Sequence, residues 1–466
     1  MEFVQKKNII MKKLLLTFCT SLCVCAFASA AEKPDIIYIL SDDQGSYDVG
    51  WRGSKIKTPN LDKLAIAGAR LENFYVQPIC SPTRAALMTG RYPMRYGLQV
   101  KVIRPTSTYG LPLEERTLPQ ALRQVGYTTA ISGKWHLGSV TKEYWPNQRG
   151  FDHAYGHLFG MTDYFKHTRE GKLDWWRNGV PSNDEGYTTE LIGRDAVEVI
   201  RKQPKDKPLF LYVSFNAVHY PFQVPEKYKE PYAHMKEPRR TYAGMLAAMD
   251  EAIGKIVSAV DETGRRKNTL FIFSSDNGGY KPGEVTDNGT LRSGKGSLYE
   301  GGVRTCAFAT WENKIPAGST VYALMHLVDW YPTLLNLTGA ALQQKLPIDG
   351  KDVWPSLTQG KPSPRQEVLL NTTPTSGALR VGDWKLVLQQ GKEASDDVGE
   401  EKGAKKKARR ASSNETNVEL FNLTDDPSEK KNLAEANPKK LKELRARYDV
   451  LAKEAAAPKT DGDNQE

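Results

Sequence analysis

The sequence predicts an α/β protein with a large, mainly parallel sheet sandwiched by helices, and three observations point there. Residues 36–40, 127–131, 209–213 and 270–273 are continuous β-rich apolar runs, the pattern of strands buried on both faces. Helical stretches at residues 61–69, 118–125 and 242–260 alternate with them, which is how a parallel sheet acquires helices on both faces. Each apolar run also leads within a few residues into groups suited to chemistry: Asp42 and Asp43, Lys134 and His136, His219, and Asp276-Asn277-Gly278. Sites in such sheets form beyond the carboxyl ends of the strands, so the four runs deliver one candidate site.

At the N-terminus, Lys12 and Lys13 precede an apolar stretch at 14–27, and Ala28-Ser29-Ala30 supplies the small residues of a cleavage site. The stretch falls short of the ~20 residues of a spanning helix. Residues 1–30 are therefore expected to be an export signal, with no stable membrane insertion once it is removed. The main domain is expected over 31–364. Beyond it the texture shifts to short strands at 368–370, 379–381, 384–387 and 419–421 and a helix at 438–451, a small α+β subdomain spanning 365–456. Residues 391–417 form a charged insertion expected to be a loop, and 457–466 a disordered tail.

With 466 residues and 39% hydrophobic content the chain can bury a sizeable core, which excludes wholesale disorder. The formal charge is +10, and four lysines against one glutamate in residues 1–30 leave about +7 for the remainder. Part of that surplus sits in Lys405-Lys406-Lys407-Ala408-Arg409-Arg410. Acidic neighbours and a lack of interleaved aromatics argue there for a solvated loop and against nucleic-acid binding. Two cysteines, Cys80 and Cys306, remain after the signal. In an exported protein a Cys80–Cys306 disulfide is the bland expectation, and a reactive Cys80 the alternative.

The surroundings of Cys80 favour a reactive centre. Cys80-Ser81-Pro82-Thr83-Arg84 leads a helical stretch closed by Gly90, with Pro just inside the start and Gly just past the end. Cys80 then lies at a helix N-terminus, where free N–H groups and the dipole favour an anion, and Arg84 lies one turn on. Cys-x-Pro-Ser/Thr-Arg followed by Thr89-Gly90-Arg91 resembles the signature of the type I sulfatases. The resemblance runs from about residue 34 to at least 357, through Gly133-Lys134-Trp135-His136-Leu137-Gly138, Ala217-Val218-His219 and Ser275-Asp276-Asn277-Gly278-Gly279. Tyr242-Ala243-Gly244-Met245, Phe271-Ile272-Phe273-Ser274 and Glu300-Gly301-Gly302-Val303-Arg304 are similar to arylsulfatase B, the N-acetylgalactosamine-4-sulfatase.

That resemblance implies an alkaline-phosphatase-like fold, with 31–364 as the catalytic domain, and a site of defined parts. Cys80 would be oxidised to formylglycine by a formylglycine-generating maturation enzyme. Asp42, Asp43, Cys80, Asp276 and Asn277 would hold Ca²⁺, with Mg²⁺ the alternative, and the carboxylate and amide oxygens suit a hard cation. Lys134 and Lys295 would grip sulfate oxygens. Arg84 would hold the hydrated aldehyde, whose hydroxyl attacks sulfur. His219 would protonate the leaving oxygen and His136 would take the proton that lets sulfate depart, tasks that suit a group titrating near working pH.

The implied substrate is a sulfated carbohydrate, a 4-sulfated galactosamine or galactose unit cleaved in exo fashion by a periplasmic or secreted enzyme. Two alternatives stand beside it: a phosphoester or phosphonate hydrolase of the same superfamily, and an inactive glycan-binding relative. His153, His157, His167, His234 and His326 match no motif and are expected to be structural or surface groups. Trp175-Trp176, in a turn-rich stretch, either stacks on a sugar or anchors a loop.

Overall fold

The four apolar runs become neighbouring strands of one sheet. The computed structural model describes residues 33–390 and 416–461. In it β1 (Asp35–Ser41), β2 (Thr128–Gly133), β3 (Leu209–Ser214) and β4 (Thr269–Ser275) lie in the order β4-β1-β3-β2, all parallel. Their side chains alternate between two cores, as a period of two requires. Ile37 and Ile39 of β1 join Leu211, Val213, Phe271 and Phe273 on one face, and Ile36, Tyr38 and Leu40 join Phe210, Tyr212, Leu270 and Ile272 on the other. Helix α1 (Cys80–Thr89) packs on the second face, and α2 (Thr188–Lys202) and α3 (Arg239–Glu262) on the first. A strand with apolar partners on both sides has no polar face to show, hence the unbroken runs.

Among the described residues the sheet has ten strands and becomes mixed at its margins. Ala307–Thr310 runs antiparallel to β4, and Ala69–Leu71 antiparallel to Ala307–Thr310. The helix expected at 61–69 is Pro59–Ile66, and Ala69 instead opens this strand.

The C-terminal region forms an antiparallel sheet of β5 (Glu367–Leu370), β6 (Gly377–Val381), β7 (Trp384–Gln390) and β8 (Thr416–Asn422), followed by α4 (Pro438–Ala452). Leu369, Leu379, Leu386, Leu388 and Leu420 join the core of the main sheet. Val368, Leu370, Val387 and Phe421 pack on Tyr75, Tyr299 and Val303. Buried Lys385 of β7 bridges Glu300 at 2.9 Å and Glu429 at 2.8 Å.

Two expectations need correction. Strand β8 starts at Thr416, so the charged insertion ends before residue 417; its residues 391–415 lie outside the described residues. The tail is not disordered from 457. Ala456 N donates to Met94 O and Lys459 N to Gly97 O, each at 2.8 Å, and Ser107 Oγ bonds Asp461 Oδ1 at 2.8 Å. Residues 462–466 and the expected signal at 1–30 lie outside the described residues. No described helix is long and apolar enough to cross a membrane.

Candidate active site

Strand register builds the site. Ser41 of β1 is level with Ser275 of β4, Leu40 with Ser214 of β3, and Ser214 with Gly133 of β2. The next residues extend the ladder: Lys134 N donates to Ser214 O at 2.7 Å, Asp276 N to Ser41 O at 3.0 Å and Asp42 N to Ala217 O at 3.0 Å. Beyond the last ladder bonds their side chains converge, and α1 points its N-terminus at the same place.

The contacts there are direct. Arg84 Nη2 lies 2.8 Å from Asp276 Oδ2 and 3.3 Å from Asp42 Oδ2, and Lys134 Nζ lies 2.5 Å from Asp42 Oδ2. Cys80 Sγ sits 3.6 Å from Asp42 Oδ1. Lys295 Nζ is 3.0 Å from Asp43 Oδ2 and 3.1 Å from His219 Nε2, and Asn277 Nδ2 donates to Asp43 Oδ1 at 2.8 Å. Every expected site residue except His136 is thus joined by side-chain contacts.

His136 joins through Ser81. Ser81 Oγ donates to His136 O and accepts from Ile103 N, both at 3.0 Å, and His136 Nε2 bonds Ile103 O at 3.0 Å. A carbonyl only accepts, so Nε2 carries the proton and the buried, unpartnered Nδ1 keeps a lone pair. A Cβ at Gly160 would lie 2.6 Å from the His136 ring, so only glycine allows this approach. Asp43 (φ 59°) and His136 (φ 58°) both occupy the left-handed region, which non-glycine residues adopt where their surroundings hold them.

Burial pushes the Asp42 carboxyl up, but the charges of Lys134, His219 and Arg84 outweigh it and hold Asp42 below the usual range. Asp276, equally buried and beside the Asp42 charge, is held above it despite Arg84. Burial pushes the Cys80 thiol well up, so an unmodified Cys80 stays a protonated, weak nucleophile. Burial, reinforced by Lys134 and Arg84, drives His136 well down, and burial with Lys295 lowers His219. His219 Nδ1 donates to Tyr220 O, which leaves Nε2 facing Lys295.

The donor set could hold a metal ion. Asp42, Asp43, Cys80 and His219 each offer a ligand atom within 4.8 Å of one another, and Asn277 Oδ1 is buried without a hydrogen-bond partner. A buried amide oxygen left unpaired calls for an explanation, and a bound ion supplies one. Three carboxylates face three cations (Arg84, Lys134 and Lys295), so a divalent ion tips the centre positive, as an anionic ester requires.

Cys80 and Cys306 are both free, so the disulfide expectation fails. The remaining histidines are elsewhere engaged or exposed. His153 pairs with Asp195 at 2.9 Å, His326 bonds Gln77, and His234 lies at the surface. His157 and His167 stack on fully buried Trp175, at 6.2 and 4.7 Å, which makes Trp175 a loop anchor. Sequence reasoning missed Ser81, Ile103, Gly160 and Ser214, whose Oγ accepts from Arg84 Nη1 at 2.6 Å. Only Ser81 gave a local signal, as the variable position of the Cys-x-Pro motif.

A parallel sheet that gathers buried carboxylates, lysines and histidines around the N-terminus of a helix defines a hydrolase of charged esters. A sequence model of the sulfatase family matches residues 34–340. Arylsulfatase J of Mus musculus is 37% identical over 92% of this chain and 77% of its own length, and arylsulfatase A of Homo sapiens 33% over 91% and 89%. The crystal structure of Ps i-CgsB in complex with k-i-k-neocarrahexaose aligns with a TM-score of 0.80 and 32% identity, covering 91% of this chain and 94% of that one. The chain belongs to the sulfatase family and is a sulfuric ester hydrolase. The narrower likeness to arylsulfatase B does not follow from these relatives.

Proposed function

We propose that this enzyme is an exported exo-sulfatase of sulfated glycans, acting on 4-sulfated galactose or galactosamine units through Cys80 after its oxidation to formylglycine. The observation that carries it is the Cys80 side chain, 3.6 Å from Asp42 at a helix N-terminus, inside a buried centre of three carboxylates and three cations. The neocarrahexaose held by the similar Ps i-CgsB supports a glycan substrate. A divalent cation, Ca²⁺ in this proposal, would be held by Asp42, Asp43, Asp276, Asn277 and residue 80. When bound it supplies Lewis acidity toward a sulfate oxygen, and formylglycine supplies a nucleophilic hydroxyl in place of the thiol.

The chain's own groups do the rest. Lys134 and Lys295 bind the remaining sulfate oxygens, and Arg84 anchors the residue-80 side chain while balancing Asp276. His219, with Nδ1–H committed to Tyr220 O, gives a proton to the departing alcohol from Nε2 once that nitrogen is also protonated, and the Lys295 ammonium 3.1 Å away is the donor that can charge it. His136, with Nε2 committed to Ile103 O, takes a proton at Nδ1 in the step that frees sulfate. The stretch at 1–30 would direct export, and a maturation enzyme would convert the thiol.

Sulfate release from 4-nitrophenyl sulfate is compared with phosphate release from 4-nitrophenyl phosphate, alongside mass spectrometry of the peptide containing residue 80. The expected result is an aldehyde at position 80, dominant sulfate release, and loss of turnover in Cys80→Ala with folding retained. Phosphate turnover greater by orders of magnitude, or an active Cys80→Ala, would overturn the proposal.

A further inference from the structure

The alcohol half of the substrate must stand beside His219, which carries its proton, and three aromatic rings cluster on that side. Tyr220 follows His219 directly and its side chain is exposed, at 37%. Its ring meets Phe222 edge-on at 5.9 Å, and Phe222 meets Tyr280 at 6.4 Å with the planes 40° apart. Phe222 and Tyr280 are half-buried and rest on the core of the α2/α3 face, which gives the cluster a fixed base. Tyr280 is also tied to the charged centre, because Gly279 O, one residue before it, accepts from Lys295 N at 3.1 Å.

The cluster offers ring surface that rests on the core and is exposed at Tyr220, with Lys281 Nζ 5.5 Å over the Tyr280 ring, and it adjoins a centre of charged groups. A pyranose matches that combination, because it carries hydroxyls at its edges and a face of C–H groups that packs on aromatic rings. We propose that Tyr220, Phe222 and Tyr280 form the platform for a pyranose in the alcohol half of the substrate, so the enzyme selects sulfated sugar chains over small alkyl sulfates. The inference rests on the proposed sulfatase function and adds the group that binds the leaving sugar.

The test uses steady-state kinetics on oligosaccharides carrying 4-sulfated galactose and 4-sulfated N-acetylgalactosamine, with inhibition by inorganic sulfate as a separate probe of the sulfate cradle. Tyr220→Ala is expected to raise KM for the hydrolysed oligosaccharide about three- to tenfold. Tyr220→Phe, which keeps the ring, restores the wild-type KM, and the inhibition constant of inorganic sulfate stays within twofold throughout. Because Phe222 is half-buried, Phe222→Leu serves as the second variant, keeping apolar bulk while losing the aromatic face. An oligosaccharide KM within twofold of wild type in both Tyr220→Ala and Phe222→Leu would overturn the platform, as would sulfate inhibition weakening in step with KM. Wild-type enzyme that frees sulfate from 4-nitrophenyl sulfate but from no glycan would also overturn it. No sulfate release from any ester would overturn the proposed function, and the platform with it.

Discussion

Replacing Ser81 by alanine removes one hydroxyl that touches no reacting atom and yet should slow turnover. Ser81 Oγ bridges His136 O and Ile103 N, and Ile103 O in turn holds His136 Nε2, a closed ring of three bonds of 3.0 Å. All three residues are buried, so Ser81→Ala leaves a backbone carbonyl and a backbone N–H without their partner. At about 1–3 kcal/mol for each of the two unpaired groups, the fold should lose about 2–6 kcal/mol, less than a protein of this size carries in total. The functional cost comes from looser placement of the His136 ring, and misplacement by about 1 Å costs on the order of 100-fold. A fall in kcat of about 10- to 100-fold is expected, with kcat/KM held within twofold, because the steps up to alcohol departure are untouched and slowing a later one lowers kcat and KM together. His136 acts after the alcohol has left, so pre-steady-state traces on 4-nitrophenyl sulfate should gain a stoichiometric burst of 4-nitrophenol. Rates are normalised to the fraction of residue 80 converted, measured by mass spectrometry. A kcat within twofold of wild type, or a KM that rises as kcat falls, would refute the positioning role.

Removal of the His219 imidazole should hurt substrates with poor leaving groups most. His219→Ala is expected to lower kcat/KM on sugar sulfates by about 100-fold or more and on 4-nitrophenyl sulfate by far less, and equal losses would remove its role as the acid. A third prediction concerns pH. Burial pushes Glu429 up to about 7, with Lys385 opposing and the Glu300 charge adding to the rise. The folded state therefore holds a proton that the unfolded chain releases near its ordinary value of about 4.3, so this group's contribution to stability declines as pH climbs toward 7 and is flat above. Glu429→Gln should shrink the difference in urea midpoint between pH 5 and pH 8, and an unchanged difference would rule Glu429 out as the titrating group.

The parts of the fold that could be read in advance share a physical cause. Strands β1 to β4 are buried on both faces, so each writes an unbroken apolar run into the sequence, and the residue just past each run is topologically bound to the sheet's carboxyl edge. Asp42, Lys134 and Asp276 were legible for that reason. The marginal strands were not, because Ala69–Leu71 and Trp176–Arg177 are two or three residues long and owe their pairing to neighbours distant in sequence. Ser81 and Ile103 escaped for a related reason. Their bonds span separations of 55 and 22 residues and leave no local periodicity. Residues 457–461 were expected to be disordered as part of the chain's end, but Lys459 N donates to Gly97 O, a long-range backbone bond to which composition is blind.

Lys385 has a consequence for how the protein can be cut or recombined. Its ammonium neutralises Glu300, which opens the short helix Glu300–Val303 only five residues after Lys295. A truncation that stopped at residue 364 would take Lys385 and Glu429 away from Glu300, leaving it Arg304 at 3.6 Å, and would strip leucines from the same core that supports β1 to β4. The C-terminal sheet is therefore no detachable cassette. Grafts from other relatives at this junction should succeed only when both sides of the buried charge cluster travel together.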